Sequence, residues 1–151
     1  MRILLDTNIP NRTAEPGHPM SSLATDAVAI LKLSLHEPCL VPQNLFEFWV
    51  VCTRPKAVNG LGMSAAEATA ELANLQSLFP ILEDLPAIRR NWERLVTSTP
   101  VLGKKSYDAR LVAAMIVHGL THLVTFNDQD FHRFPMITVV TPLMVVEGYT
   151  F

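Results

Sequence analysis

The sequence predicts a three-layer α/β/α fold in which helices cover both faces of a mainly parallel sheet. Short apolar segments of strand length alternate with longer segments of helical periodicity, which is typical of strands joined by helical crossovers. Turn-forming residues separate these segments. The chain has 151 residues, of which 49% are hydrophobic and 17% charged, the size and composition of one globular unit with one core. We therefore expect residues 1–151 to form a single domain.

The chain begins with a short apolar segment, Arg2–Leu5, that predicts a strand. Turn-forming residues at 6–10 predict a loop after it. The next apolar residues recur at helical spacing, which predicts a helix capped by Ser21 or Ser22 and ended by Pro38. A strand and a helix thus open the chain.

A second strand and two further helices are predicted in the middle of the chain. Cys39–Val41 is apolar and short enough to be a strand, and Pro42 is well suited to open the apolar helix that follows. Glycine, proline and asparagine at 53–63 indicate a loop. Ser64 and Glu67 have the spacing of a capping box, which predicts the start of a helix ending near position 78.

The last part of the chain repeats the alternation of strands and helices. Proline, serine and glycine mark the ends of its helices, and β-branched residues dominate its later strands. The predicted elements are a strand at 80–82, a helix at 86–97, a helix from Ser106 to Gly119, strands at 120–125 and 136–140, and a helical turn at 142–146.

The bulk properties exclude several classes of protein. No apolar segment approaches the roughly 20 residues of a membrane span, and the N-terminus has no signal-peptide pattern, so we expect a cytoplasmic protein with no membrane contact. Cys39 and Cys52 lack metal-ligand spacing and are predicted to be buried and reduced. The formal charge of −2 argues against a broad cationic face for nucleic acid. A nucleic-acid substrate would be held by local cations, for which the candidates are Arg54, Lys56, Arg89, Arg90, Arg94, Lys104, Lys105 and Arg110.

Three acidic side chains at separate places in the sequence are candidates for chemistry. Asp6 follows the first strand and Asp108 begins a late helix, and each has an ordinary alternative, as a turn former or as a partner of the helix dipole. Glu47 stands between large apolar residues, where an unpaired buried carboxylate would cost several kcal/mol unless the position faces solvent. A further polar group follows a late strand and consists of Asn127, Asp128 and Asp130.

These groups become informative when they are considered together. Ligand sites in parallel sheets form beyond the carboxyl ends of the strands, so acids at strand ends and helix starts can converge there. Carboxylates held close together require a cation to relieve their repulsion. Oxygen ligands without a cysteine or histidine cluster favour Mg²⁺ or Mn²⁺. The pattern predicts a Mg²⁺ or Mn²⁺ site that keeps coordination positions free for water and phosphate oxygens.

The sequence resembles the PIN-domain family and, within it, the small ribonuclease toxins of VapBC toxin-antitoxin systems. The resemblance extends over nearly the whole chain, and its motifs are short but ordered. They are Ile3-Leu4-Leu5-Asp6-Thr7-Asn8, Asn44-Leu45-Phe46-Glu47, Tyr107-Asp108-Ala109 and Leu123-Val124-Thr125-Phe126-Asn127-Asp128-Gln129-Asp130-Phe131.

The resemblance implies roles for individual residues. Asp6, Glu47 and Asp108 fall on the family's first three acids and are expected to hold Mg²⁺ or Mn²⁺. The fourth acidic position is Asn127 here, and Asp128 or Asp130 are candidates for the missing charge. Thr7, Asn8 and Thr125 are expected to orient the carboxylates. The resemblance also implies an RNA substrate, a small antitoxin partner and a homodimer.

Two other functions remain open at this point. An aspartate-based phosphatase or phosphotransferase would use Asp6 as a nucleophile. Such enzymes have a second aspartate two residues later, where this chain has Asn8. A PIN-like module with weak or lost catalysis would bind RNA or protein, which the asparagine at 127 keeps open. Trapping a phospho-aspartate would favour the first, and failure to bind Mn²⁺ would favour the second.

Overall fold

A parallel sheet lies at the centre of the molecule. The computed structural model describes residues 1–98 and 100–151. The sheet contains four strands, β1 (Arg2–Leu5), β2 (Glu37–Cys39), β3 (His122–Val124) and β4 (Thr138–Val140). Their order is β2-β1-β3-β4, and all three pairings are parallel. The carboxyl ends of β1 and β3, where Asp6 and Thr125 follow, are therefore adjacent.

Helices account for most of the remaining chain. Their bounds are α1 (Asn8–Thr13), α2 (Ser21–Leu33), α3 (Pro42–Thr53), α4 (Ala65–Leu78), α5 (Pro86–Ser98), α6 (Lys105–His118) and α7 (Pro142–Val146). Short 3-10 turns at Lys56–Val58 and Asp128–Phe131 complete the pattern.

The sheet separates two apolar clusters, as the alternation of side chains along a strand requires. Ile3 and Leu5 of β1 pack with residues of α1, α2, α3, α4 and α7. Leu4 points the other way and packs with α5 and α6. The predicted three-layer arrangement with a mainly parallel sheet is confirmed.

The predicted loop at 6–10 is wrong, because α1 begins at Asn8. Pro10 occupies the first turn of this helix, where a missing N–H group removes no internal hydrogen bond. The first long helix also ends earlier than predicted, at Leu33 rather than before Pro38. Leu35 follows it with a positive φ of 59° and turns the chain toward β2.

Two strand predictions require correction. The second strand is Glu37–Cys39, two residues earlier than predicted. The segment 80–82 forms only a single bridge, between Ile81 and Leu40. Its proline at position 80 has no N–H group to extend a ladder.

The helix-cap predictions are partly correct. The capping box of α4 is present: Ser64 Oγ accepts from the N–H of Glu67 at 3.2 Å, and the Glu67 carboxylate accepts from the N–H of Ser64 at 2.7 Å. Gly119 ends α6 with a φ of 68°, as predicted. The caps predicted at Ser21 or Ser22 and at Ser106 are wrong, because Met20 and Lys104 hold those positions.

Two further expectations concern buried cysteines and membrane spans. Cys39 and Cys52 are buried and free of disulfide bonds, as predicted. In the described ranges, no helix combines the length and the apolar character needed to cross a bilayer.

Candidate metal and nuclease site

Asp6 lies at the carboxyl end of β1, where three donors surround its carboxylate. The backbone N–H of Thr7 donates to Oδ1 at 2.7 Å. Asn8 Nδ2 and Thr125 Oγ1 both donate to Oδ2, at 2.7 and 2.6 Å. Because β1 and β3 are neighbouring parallel strands, the sheet itself brings Thr125 beside Asp6. These bonds fix the orientation of the carboxylate.

A shared threonine joins Asp6 to Glu47. Thr7 Oγ1 donates to Glu47 Oε2 at 2.6 Å, while the N–H of the same residue binds Asp6. Gln43, one helical turn earlier on α3, donates from Nε2 to Glu47 Oε1 at 2.8 Å. Glu47 is therefore a partly buried carboxylate whose two oxygens are both hydrogen-bonded, and Thr7 links it to Asp6.

Asn44 anchors this arrangement to the sheet. It is fully buried, and its Nδ2 donates to Thr7 Oγ1 at 3.0 Å and to the carbonyl of Leu5 at 3.2 Å. Its Oδ1 accepts from the N–H of Val41 at 2.8 Å. A polar side chain in the core is tolerated because both of its groups are satisfied.

Asp108 lies in the first turn of α6, with a lysine between it and Asp130. Lys105 Nζ lies 4.0 Å from Asp108 Oδ2 and forms an ion pair with Asp130. Asp130 is thus the acid of the late polar group that lies near Asp108. Asp128 instead pairs with His132 at 3.4 Å.

Asn127 is exposed, and its recorded contacts are made by its backbone. Its N–H donates to Thr125 Oγ1 at 3.0 Å, and its carbonyl accepts from the N–H of Asp130 at 3.1 Å. The residue at the fourth acidic position therefore helps to place Thr125 and Asp130.

Burial and neighbouring charges raise the pKa values of Asp6 and Asp108. The pKa of Asp6 is raised to about 6, mainly by burial; the charges of Glu47 and Asp108 add to this rise, and the hydrogen bonds from Thr125 and Thr7 oppose it. Burial also raises the pKa of Asp108 to about 6, helped by the charges of Asp130 and Glu47 and opposed by Lys105. No lysine, arginine or histidine in the described chain pairs with Asp6 or Glu47.

This unbalanced negative charge is the observation that fits a bound cation. The side chains do not form a complete cage, because residues 1–98 and 100–151 contain no group of three or more His, Cys, Asp and Glu placed to hold a metal together. Mg²⁺ does not require one, since it keeps several waters and binds through one or two carboxylates. The donor set is compatible with that mode of binding.

Sequence reasoning missed the supporting roles of Gln43 and Asn44 and the neutralising role of Lys105. The signal for the first two was their spacing, four and three residues before Glu47, which places them on the same side of a helix. The contact between Lys105 and Asp130 spans 25 residues, and no local pattern indicates it.

Comparisons with known proteins agree with this fold. The model of the PIN domain family matches residues 3–136. VapBC2 from Rickettsia felis, solved with a DNA fragment from its promoter, is similar in structure with a TM-score of 0.72 and 16% identity, covering 93% of this chain and 98% of that one. A toxin-antitoxin complex from Klebsiella pneumoniae gives a TM-score of 0.61 and 22% identity, with coverage of 93% and 97%.

A third similar structure is VapC20 from Mycobacterium tuberculosis, a Sarcin-Ricin loop cleaving toxin. Its TM-score is 0.59 at 19% identity, and the match covers 80% of this chain and 86% of that one. Among curated protein sequences, none matches this chain.

Proposed function

The chain belongs to the PIN domain family, and from that premise we propose that it is a metal-dependent endoribonuclease that acts as the toxin of a toxin-antitoxin pair. The observation that carries the proposal is the coupling of Asp6, Glu47 and Asp108 at the carboxyl edge of the sheet without enough positive charge to balance them. The same family membership argues against the alternative function, that of an aspartate-based phosphatase.

Asp6, Glu47 and Asp108 would hold Mg²⁺ or Mn²⁺. When bound, such a cation polarises the phosphoryl oxygen and lowers the pKa of coordinated water. The chain's own residues prepare the site: Asn8 and Thr125 fix Asp6, and Thr7 keeps Glu47 beside it. Such supporting contacts typically change metal affinity or activity by 10- to 100-fold.

Lys105 would relieve the repulsion between Asp108 and Asp130 before a substrate binds. Its ammonium group partly neutralises both acids, and it lies at the edge of the site on a flexible stem. A lysine in this position is also suited to contact a phosphate of the RNA strand.

An antitoxin and a homodimer belong to the same proposal. The similar structures include toxin-antitoxin complexes. We expect the chain to form a complex with the small protein encoded beside it, and we expect a dimer of the chain in isolation. The molar mass in solution, measured alone and with that protein, tests both expectations.

The proposed activity is tested by comparing RNA cleavage by the wild type and by Asp108→Asn. We expect cleavage that EDTA abolishes and Mg²⁺ or Mn²⁺ restores, and a loss of at least about 100-fold in the variant, as for removal of a key electrostatic group. Asp26→Asn is the matched control, because Asp26 is an exposed aspartate of α2 that makes none of the contacts of the site. Cleavage that persists in EDTA, or in Asp108→Asn, would contradict the proposal.

Asp108→Asn is a cleaner choice than Asp6→Asn. Three donors point at the Asp6 carboxylate, and an amide at that position would oppose some of them. For Asp108 the nearest charged partner is Lys105 at 4.0 Å. Thermal stability should therefore be kept or slightly raised in Asp108→Asn, which separates a loss of activity from a loss of fold.

A further inference from the structure

An apolar groove lies beside the acids, between α3 and the start of α6. Its volume is about 560 Å³, and Glu47 belongs to both the groove and the acid site. Phe46, Val50 and Tyr107 line it, and these residues are 64%, 53% and 59% exposed. Large apolar groups exposed together in a concave surface indicate a binding site.

Two arginines lie along the same groove. Arg54, just after α3, donates from Nη2 to the carbonyl of Asn59 at 2.8 Å, and its buried Nε has no acceptor. Within the part of the chain that the structure describes, no carboxylate pairs with Arg54. Arg110 donates to Gln43 Oε1 at 3.1 Å and to Asp84 Oδ2 at 2.7 Å.

This combination fits a nucleotide better than a purely apolar peptide. Exposed aromatic rings stack on unpaired bases, and guanidinium groups bind phosphates. A helix of apolar residues would cover Phe46 and Val50 and leave the charge of Arg54 unmatched. The groove also reaches Glu47, so an RNA strand bound across the acids would continue into the groove.

Resting on the proposed function, we infer that this groove is a nucleotide subsite that holds one unpaired base of the RNA next to the scissile phosphate. The base stacks on Tyr107 and Phe46, and Arg54 and Arg110 contact the phosphates on either side of it. Because the base must leave any double helix to enter, the enzyme cuts RNA that is single-stranded at this point.

Beyond Arg110, the protein surface offers the bound RNA strand a further place of contact. That residue also lines a second depression, of about 500 Å³, together with Arg89, Arg90 and Trp92. Arg89 pairs with Glu93 at 2.5 Å. Within residues 1–98 and 100–151, no carboxylate forms an ion pair with Arg90. Arg90 is placed to contact a phosphate beyond the subsite.

The test measures RNA binding in the Asp108→Asn background, which keeps the RNA uncut. Fluorescence anisotropy gives the Kd of single-stranded oligouridine and oligoadenosine and of an RNA duplex, with Mg²⁺ present. Tyr107→Leu and Phe46→Leu should raise the Kd for both single strands by roughly 5- to 100-fold, the usual effect of losing a base-stacking ring. Tyr107→Phe keeps the ring and should bind like its parent.

Leu33→Ala is the matched control, because Leu33 is an apolar helix residue that is 82% exposed and does not line the groove. Its Kd should equal that of the parent. The inference is overturned if Tyr107→Leu binds oligonucleotides like its parent, or if the duplex binds as tightly as the single strands. Groove variants that lose only binding to the neighbouring gene's product would also overturn it, in favour of a protein groove.

Failure of the subsite and failure of the proposed function are distinguishable. Groove variants in an otherwise wild-type chain that cut RNA with an unchanged KM would reject the subsite and leave the nuclease intact. A wild type that cuts no RNA, while the ring-dependent binding persists, would reject the nuclease and leave the subsite.

Discussion

The hydroxyl of Thr7 makes two hydrogen bonds in the site and does not cap helix α1. It stands at the position before α1 where a threonine hydroxyl usually accepts from the helix's own N–H groups, yet no such cap is formed. Its hydroxyl donates to Glu47 and accepts from Asn44 instead. A local rule of helix stability is broken where the side chain serves a site, as is common at functional positions.

Replacing Thr7 by valine removes the hydroxyl and keeps the shape. We expect a 10- to 100-fold loss of Mn²⁺ affinity and of kcat/KM, because Glu47 loses one of the two donors that orient it. Thr13→Val is the control, since the Thr13 hydroxyl donates to the carbonyl of Pro10 on the same helix and not to an acid of the described site. Titration calorimetry and cleavage rates measure both effects. Equal values for the two variants would show that Thr7 does not position Glu47.

The raised pKa values of Asp6 and Asp108 predict a pH dependence of stability. Both carboxyl groups have a folded pKa of about 6, above the ordinary 3.8, because burial disfavours their charge. The folded state therefore holds these protons more tightly, so their contribution is fully present below about pH 4 and lost as the pH rises through 6.

Urea denaturation of the metal-free protein at several pH values measures this effect. From pH 4 to 7.5, the free energy of unfolding of the wild type should fall relative to that of Asp108→Asn by on the order of 2 kcal/mol. Saturating Mg²⁺ should recover most of the difference at pH 7.5. Parallel profiles for the two proteins in EDTA would show that Asp108 carries no such strain.

At the scale of elements, the sheet positions the first acid of the site, and two helices supply the other two. β1 and β3 place Asp6 beside Thr125 by their parallel register, and α3 and α6 deliver Glu47 and Asp108. By contrast α4, which contributes Ala68 and Leu75 to the core, provides no acid to the site. Its stability should be separable from activity.

Ser64→Ala tests that separation. Loss of the capping hydroxyl of α4 should lower the free energy of unfolding by about 1 kcal/mol and leave cleavage by the folded protein unchanged. Ser77→Ala is the control, since Ser77 is exposed and its hydroxyl donates to the carbonyl of Asn74 near the end of the same helix. Urea denaturation and cleavage rates give the answer. A large loss of activity in Ser64→Ala would tie α4 to the site.

How much of the fold was predictable depended on whether a local signal existed. The alternation of strands and helices, the Ser64 capping box and the Gly119 helix end all have local causes, and each was predicted correctly. Helix α1 was missed because Pro10 usually marks a break, yet it is harmless in a first turn. The boundary of β2 depended on pairing with β1, which is a contact between distant residues.

In the candidate site, too, features with a local sequence signal were predictable, and features that depend on contacts between distant residues were not. The three acids and their supporting residues Thr7, Asn8 and Thr125 were identified from motifs whose order resembles a family. Which of Asp128 and Asp130 lies near Asp108 was not predictable, because the answer depends on the 3-10 turn at Asp128–Phe131 and on Lys105 from a distant helix. The turn directs the two aspartates to different partners.

For the whole molecule, the distribution of charge matters more than its sum. The formal charge is only −2, yet acids are concentrated at the edge of the sheet and Arg54, Arg90 and Arg110 lie on the surface beside them. A small protein without a broad cationic face can thus hold a nucleic acid locally, with its phosphates between a cation at the acids and arginines in the groove.

The account depends most on one claim, that Asp6, Glu47 and Asp108 share a divalent cation. Crystals of the wild-type chain soaked in Mn²⁺ and measured at the manganese absorption edge test it directly. We predict an anomalous-scattering peak within coordination distance, about 2.0 to 2.6 Å, of carboxylate oxygens from at least two of the three residues. An active protein whose manganese peak lies elsewhere, or contacts none of these carboxylates, would contradict the account.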